Sequence, residues 1–127
     1  MERVMTTGQR ISLYALGLLF IGAGLNHFID PDFYVAMMPP YLPFHAELIF
    51  LSGVFEVVAG VGVFIPRLRR AAGILMILIL IGVFPANVHM ALNPDTFPDI
   101  PAWGLYVRLP LQGALIWWAW VATRVEK

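Results

Sequence analysis

The stretch from Glu47 to Ile65, ELIFLSGVFEVVAGVGVFI, most limits what this chain can become. From Leu48 onward every residue is apolar or small except Ser52 and Glu56. As a helix the run is long enough to cross the hydrocarbon core of a bilayer. Glu56 falls in its middle. A charge at that depth costs from about 2.5 to more than 10 kcal/mol, so the carboxyl must face protein or trapped water, take a partner, or carry its proton. Ser52, Gly53, Glu56 and Gly60 follow helical spacing and share one face. Small residues on that face let a neighbouring backbone come close. The helix is expected to turn this stripe to its neighbours and its bulky side chains to lipid.

Three further apolar runs accompany it. The expected spans are residues 11–28, 48–65, 71–92 and 104–122. At about 1.5 Å per residue each extends roughly 27–33 Å, the thickness of a hydrocarbon core of about 30 Å. The first run, behind a basic leader, also has the shape of a signal peptide. The spans that follow and the polar pair Asn26-His27 favour a retained helix. Composition agrees. Hydrophobic residues make up 60% and charged residues 13%, against roughly 45–50% and about 25% in soluble domains. The expected fold is all-α, an integral membrane four-helix bundle forming one domain over residues 1–127. The formal net charge of zero gives no surface for nucleic acid. There is no cysteine, which excludes disulfides, CxxC redox chemistry and thiolate metal sites. A redox role would need a bound cofactor or a partner.

Charge sets the expected orientation. Arg3 and Arg10 precede the first span, Arg67, Arg69 and Arg70 join the second to the third, and Arg124 and Lys127 follow the fourth. Seven of the eight basic residues thus fall on one side. The opposite loops carry Asp30, Asp32, Asp95 and Asp99. The positive-inside rule then places both termini in the cytoplasm, in a multi-pass protein of the cell membrane. Trp103 at one boundary and Trp117, Trp118 and Trp120 at the other suit an aromatic belt, a better reading than a stacking platform for a quinone.

The outer loops are unusual. Asp30 is placed to cap a helix with Pro31 at its first position, and residues 33–38 read as a short amphipathic turn at the interface. Residues 32–45 are rich in aromatics, methionine and proline, with Tyr34 and Tyr41 suited to the headgroup level, and read as a lid over the bundle. Pro85 should kink the third span. A short repeat links the halves: Asn26-His27 precedes Pro31-Asp32-Phe33, and Asn87-x-His89 precedes Pro94-Asp95-x-Phe97.

The membrane-embedded polar residues gather in the outer half. They are Asn26, His27, Ser52, Glu56, Asn87, His89, Arg108 and Gln112, and they form the candidate ligand-binding set. Glu56 is the candidate for proton chemistry. The pocket they imply opens outward or sideways to the outer leaflet. Glu56 with Arg108 makes either a ligand or proton site or an ion pair that only fixes packing. His27 and His89 either work in the site or simply face water at a helix end. His27, His89 and Glu56 have suitable donor atoms for a metal, but no tight pair such as HxxxH occurs, and no metal is expected. Asn87 and Gln112 are expected to hydrogen-bond between helices.

The segments GAGLNHF, PPYLP, SGVFEVVAGVGVFIP followed by RRAAG, FPANVHM and YVRLPLQ resemble the DoxX-like family of small four-helix membrane proteins. The likeness spans about residues 22–118. It implies a redox-associated membrane subunit binding a quinone or similar apolar molecule, with Asn26, His27, Glu56, Asn87, Arg108 and Gln112 at the family's polar positions. The receptor-assembly chaperones of animals of the NACHO type share the four-helix layout. They imply an alternative: a non-enzymatic assembly factor that binds another membrane protein, or a second copy, through small-residue helix faces.

Overall fold

The computed structural model describes residues 5–98 and 100–124. Arg3, Asp99 and Lys127, part of the charge pattern, lie outside the described residues. Among the described residues the chain is helical, with no strand. Its helices are α1 (Thr7–Ile29), α2 (Pro31–Met37), α3 (His45–Gly62), α4 (Arg69–Leu92) and α5 (Ala102–Ala122), with single 3-10 turns at Pro66–Leu68 and Pro94–Thr96.

The ends differ from the sequence expectation for local reasons. Helix α1 starts earlier than residue 11 because Thr6 and Gln9 form a reciprocal capping box. The Gln9 amide donates to Thr6 Oγ1 at 3.1 Å, and the Thr6 amide donates to Gln9 Oε1 at 2.9 Å. Helix α3 stops at Gly62 rather than Ile65. Its last amides bond three residues back, Phe64 to Val61 and Ile65 to Gly62, and Pro66 cannot continue the ladder. The helix expected to begin at Pro31 is α2, and it takes in most of the amphipathic turn expected at 33–38. Asp30 gives it no side-chain cap, contrary to expectation. Arg69, in the basic turn between the second and third spans, is buried, and its Nε donates to the Val63 carbonyl at 2.7 Å.

Helices α1, α3 and α4 are long and apolar enough to cross a membrane, by length and composition. Helix α5 is of similar length and carries Arg108, Gln112 and several tryptophans. The outward faces are strongly apolar all the same: Leu18, Phe50, Phe55, Leu78, Ile81 and Trp117 are all exposed.

Packing runs α1 to α3, α3 to α4, α4 to α5 and α5 back to α1. The closest pair is α1 with α3, held by two glycine contacts. A Cβ on Gly60 would lie 2.7 Å from the Gly17 carbonyl, and one on Gly24 would lie 2.7 Å from the Gly53 carbonyl. The expected small stripe of α3 is therefore spent on α1. At one end Leu13, Leu16, Phe20, Val63, Met76 and Ala119 form the main apolar core. At the other, Met90, Phe97 and Leu105 form a small core beneath the loops. A polar layer lies between them.

The sequence repeat has a structural counterpart. Asp30 after α1 has φ −133 and ψ 65, and Asn93 after α4 has φ −131 and ψ 58. Each is followed by a proline that starts a short helical turn.

Candidate functional site

The polar layer encloses a cavity of about 430 Å³. Helices α1, α3, α4 and α5 supply its walls, and α2 with the following loop supplies Tyr34, Met38, Pro39 and Leu42. The lid expected from residues 32–45 thus covers one end. Most of the lining is aliphatic, and the polar groups are few and convergent, which is the composition of a small-molecule pocket.

His27 and Glu56 form its centre. His27 sits late in α1, facing α3. Its Nε2 lies 3.1 Å from Glu56 Oε2, and both residues are buried. The approach is off the line a hydrogen bond needs, so Oε2 is buried without a hydrogen-bond partner. The contact is therefore electrostatic, and the carboxyl keeps hydrogen-bonding capacity. On the other side of the ring, Nδ1 lies 2.9 Å from Ser52 Oγ and 3.3 Å from the Ile49 carbonyl. The Ser52 hydroxyl donates to the same carbonyl at 3.3 Å. A carbonyl only accepts, so this network assigns a proton to Nδ1 and leaves Nε2 facing the acid. Nε2 and the carboxyl then face each other at 3.1 Å with no hydrogen bond between them. Imidazole with carboxylic acid and imidazolium with carboxylate are both neutral overall, which suits an apolar site.

Arg108 is not Glu56's partner. It lines the same cavity, half-buried on α5. Among the described residues the one ion pair at the cavity is His27 with Glu56. The expected Glu56–Arg108 pair is corrected accordingly: α1 packs against the Glu56 face of α3, and its histidine reaches the acid first.

Asn87 and Gln112 make the expected interhelical bond. Asn87 Nδ2 donates to Gln112 Oε1 at 2.6 Å, and Gln112 Nε2 donates to the Leu80 carbonyl. Both residues are buried on the cavity wall. Their amides hold α5 to α4 in the turns around Pro85.

Two members of the expected set lie elsewhere. Asn26 is exposed and does not line the cavity. Its Nδ2 donates to Tyr34 Oη at 2.6 Å. The Tyr34 ring packs on the His27 ring at 4.1 Å between centroids. Asn26 therefore acts through Tyr34, which covers the histidine. His89 is at the end of α4, where Asn93 Nδ2 donates to its carbonyl at 2.9 Å. Asn87, two residues earlier, holds the wall position because it faces α5, where Gln112 accepts its bond. No cluster of three or more metal-ligating side chains occurs among the described residues.

Tyr34 itself was not among the expected site residues. It lies beyond a helix break, and no periodicity carries across Asp30 to place it over His27.

Fold and cavity together define an all-helical protein with membrane-length helices around a largely apolar pocket that holds a histidine–carboxyl pair. The chain belongs to DUF8561, a domain of unknown function, whose family model matches residues 16–123 and so takes in every residue of the cavity wall. No curated protein and no solved structure matches it.

Proposed function

We propose that this chain is a multi-pass membrane protein, related to the DoxX-like family, that binds a quinone or similar apolar small molecule in the cavity as part of a redox-associated assembly. The observation that carries this reading is the buried Glu56 carboxyl on the cavity wall, paired with His27 and left with a free hydrogen-bonding oxygen. Retaining such a group inside a membrane span is costly, and function is the default reason for it. The pair offers or accepts one proton at a carbonyl or hydroxyl of the bound head. Arg108, which lines the same cavity, favours an electron-rich oxygen. The assembly-factor alternative finds less support, because the glycine faces of α1 and α3 are already packed on each other.

In this reading α1, α3, α4 and α5 all span the bilayer, and the apolar outward faces meet lipid. Both described chain ends lie at the end of the fold that holds the Pro66–Leu68 turn: Met5, Ala72 and Ala122 share one core. The basic residues near that end favour the cytoplasmic side for it. Single cysteines at Arg67 and Asp95, both exposed, test this in intact cells. An impermeant thiol reagent should label position 95 and spare position 67, and the reverse would overturn the orientation.

The function is tested by mass spectrometry of the organic extract of detergent-purified protein. An apolar molecule stoichiometric with the protein, and absent from a control protein purified from the same membranes, is the expected result. A stoichiometric membrane-protein partner with no small molecule would favour the assembly factor instead.

A further inference from the structure

The cavity is covered at its loop end and open at its side. Pro39 is fully buried, and Tyr34, Met38 and Leu42 are half-buried over it. Among the helix residues on its wall, Leu48, Gly82 and Leu111 are exposed on the outer surface. Gly82 and Leu111 belong to the middle turns of α4 and α5, away from either loop. A Cβ built on Gly82 meets no atom within 4 Å. The wall therefore has a notch there, rimmed by aliphatic side chains. Glu56, His27, Asn87 and Gln112 are buried behind it.

Size limits what fits. A volume of about 430 Å³ lies at the lower end of the roughly 300–1,000 Å³ of small-molecule pockets. It holds a ring-sized head and leaves no room for a long tail.

We infer that the cavity takes its ligand sideways from the bilayer, through the notch at Gly82, and holds an amphiphile with its polar head among the buried polar residues and its tail out in lipid. This rests on the reading of the cavity as a ligand site, and it adds the route and the orientation. The head that fits carries an acceptor oxygen of carbonyl type. Arg108 donates to it from one wall, and the acid of the His27–Glu56 pair lies across from it. A charged, tail-less solute has no route, because the loop end is covered and the open side faces hydrocarbon.

Lipid-phase photolabelling tests the opening without any assumption about the native ligand. The protein is reconstituted in phosphatidylcholine vesicles with trifluoromethyl-iodophenyl diazirine, a small probe that partitions into the bilayer core, and labelled peptides are mapped after illumination. Wild type should label at the inner-wall residues Ala86 and Leu115 as well as at the outward Phe55. Gly82→Phe should lose the inner-wall label and keep that at Phe55. Leu111→Trp, at the exposed lining residue in the middle of the neighbouring helix α5, should do the same and serves if Gly82→Phe does not fold. An inner wall that stays unlabelled in wild type, or labels equally in both rim variants, would overturn the inference. Failure of the ligand reading looks different: the inner wall labels and the rim variants block it, while the purified protein yields no co-extracted molecule.

Discussion

Removing Glu56 or His27 alone should destabilise the protein more than a sum of independent effects allows, and removing both should restore part of the loss. His27→Leu leaves a carboxyl buried against α1 with no partner, and Glu56→Leu leaves Nε2 facing an apolar side chain. Breaking a buried pair in this way typically costs about 3–5 kcal/mol, whereas replacing both members by apolar side chains costs far less. Thermal unfolding in detergent of the two single variants and the double variant measures the coupling. Simple addition of the two losses would mean that the 3.1 Å contact carries no coupling energy. The same cycle run with Arg108→Leu and Glu56→Leu should be additive, because Arg108 lines the cavity without pairing to the acid.

The second large effect lies in the glycine contacts between α1 and α3. An alanine at an exposed helical glycine normally helps by about 1 kcal/mol, through backbone entropy. Gly113→Ala should show this or no change, since a Cβ there meets nothing within 4 Å. Gly60→Ala should have the opposite sign. Its Cβ would lie 2.7 Å from the Gly17 carbonyl and 2.9 Å from the Ile21 amide nitrogen, and backbone cannot step aside as a side chain can. Overpacking of this kind typically costs about 1–3 kcal/mol, and Gly60→Val should cost more still. Melting temperatures and the yield of monodisperse protein in detergent report both. Equal effects at residues 60 and 113 would show that α1 and α3 do not meet through these glycines.

The long helices were legible because their signal is local. Apolar runs bounded by proline, glycine and charge define α1, α3, α4 and α5 to within a few residues. The errors came from chemistry at the ends: the Thr6–Gln9 capping box, the tightened turn after Gly62, and Pro31 starting α2 without help from the Asp30 side chain. The small face of α3 was also legible, from the spacing of Ser52, Gly53, Glu56 and Gly60. Partner choice was not. Periodicity says which face a residue occupies, and not which helix lies opposite, so Arg108 was as good a candidate for Glu56 as His27. The structure decides for His27 because the glycine contacts draw α1 onto that face. Depth misled in the same way for Asn26 and His89. Both lie at the right height, but Asn26 turns outward to Tyr34 and His89 turns to Asn93. Nothing in a run of arginines marks Arg69 as the one that folds back on a helix end.

Titration of a decyl-benzoquinone into wild type and Glu56→Gln protein in lipid nanodiscs tests most directly whether the cavity is a ligand site built on the His27–Glu56 pair. Glutamine keeps the shape of the wall but cannot ionise, so it removes the titratable proton and leaves a neutral amide. A hydrogen bond to a charged group contributes about 1.5–3 kcal/mol, and 1.4 kcal/mol is about tenfold in affinity. Wild type should therefore show one saturable site, and Glu56→Gln should bind at least about tenfold more weakly. No saturable binding in wild type, or equal affinity in the two proteins, would contradict it.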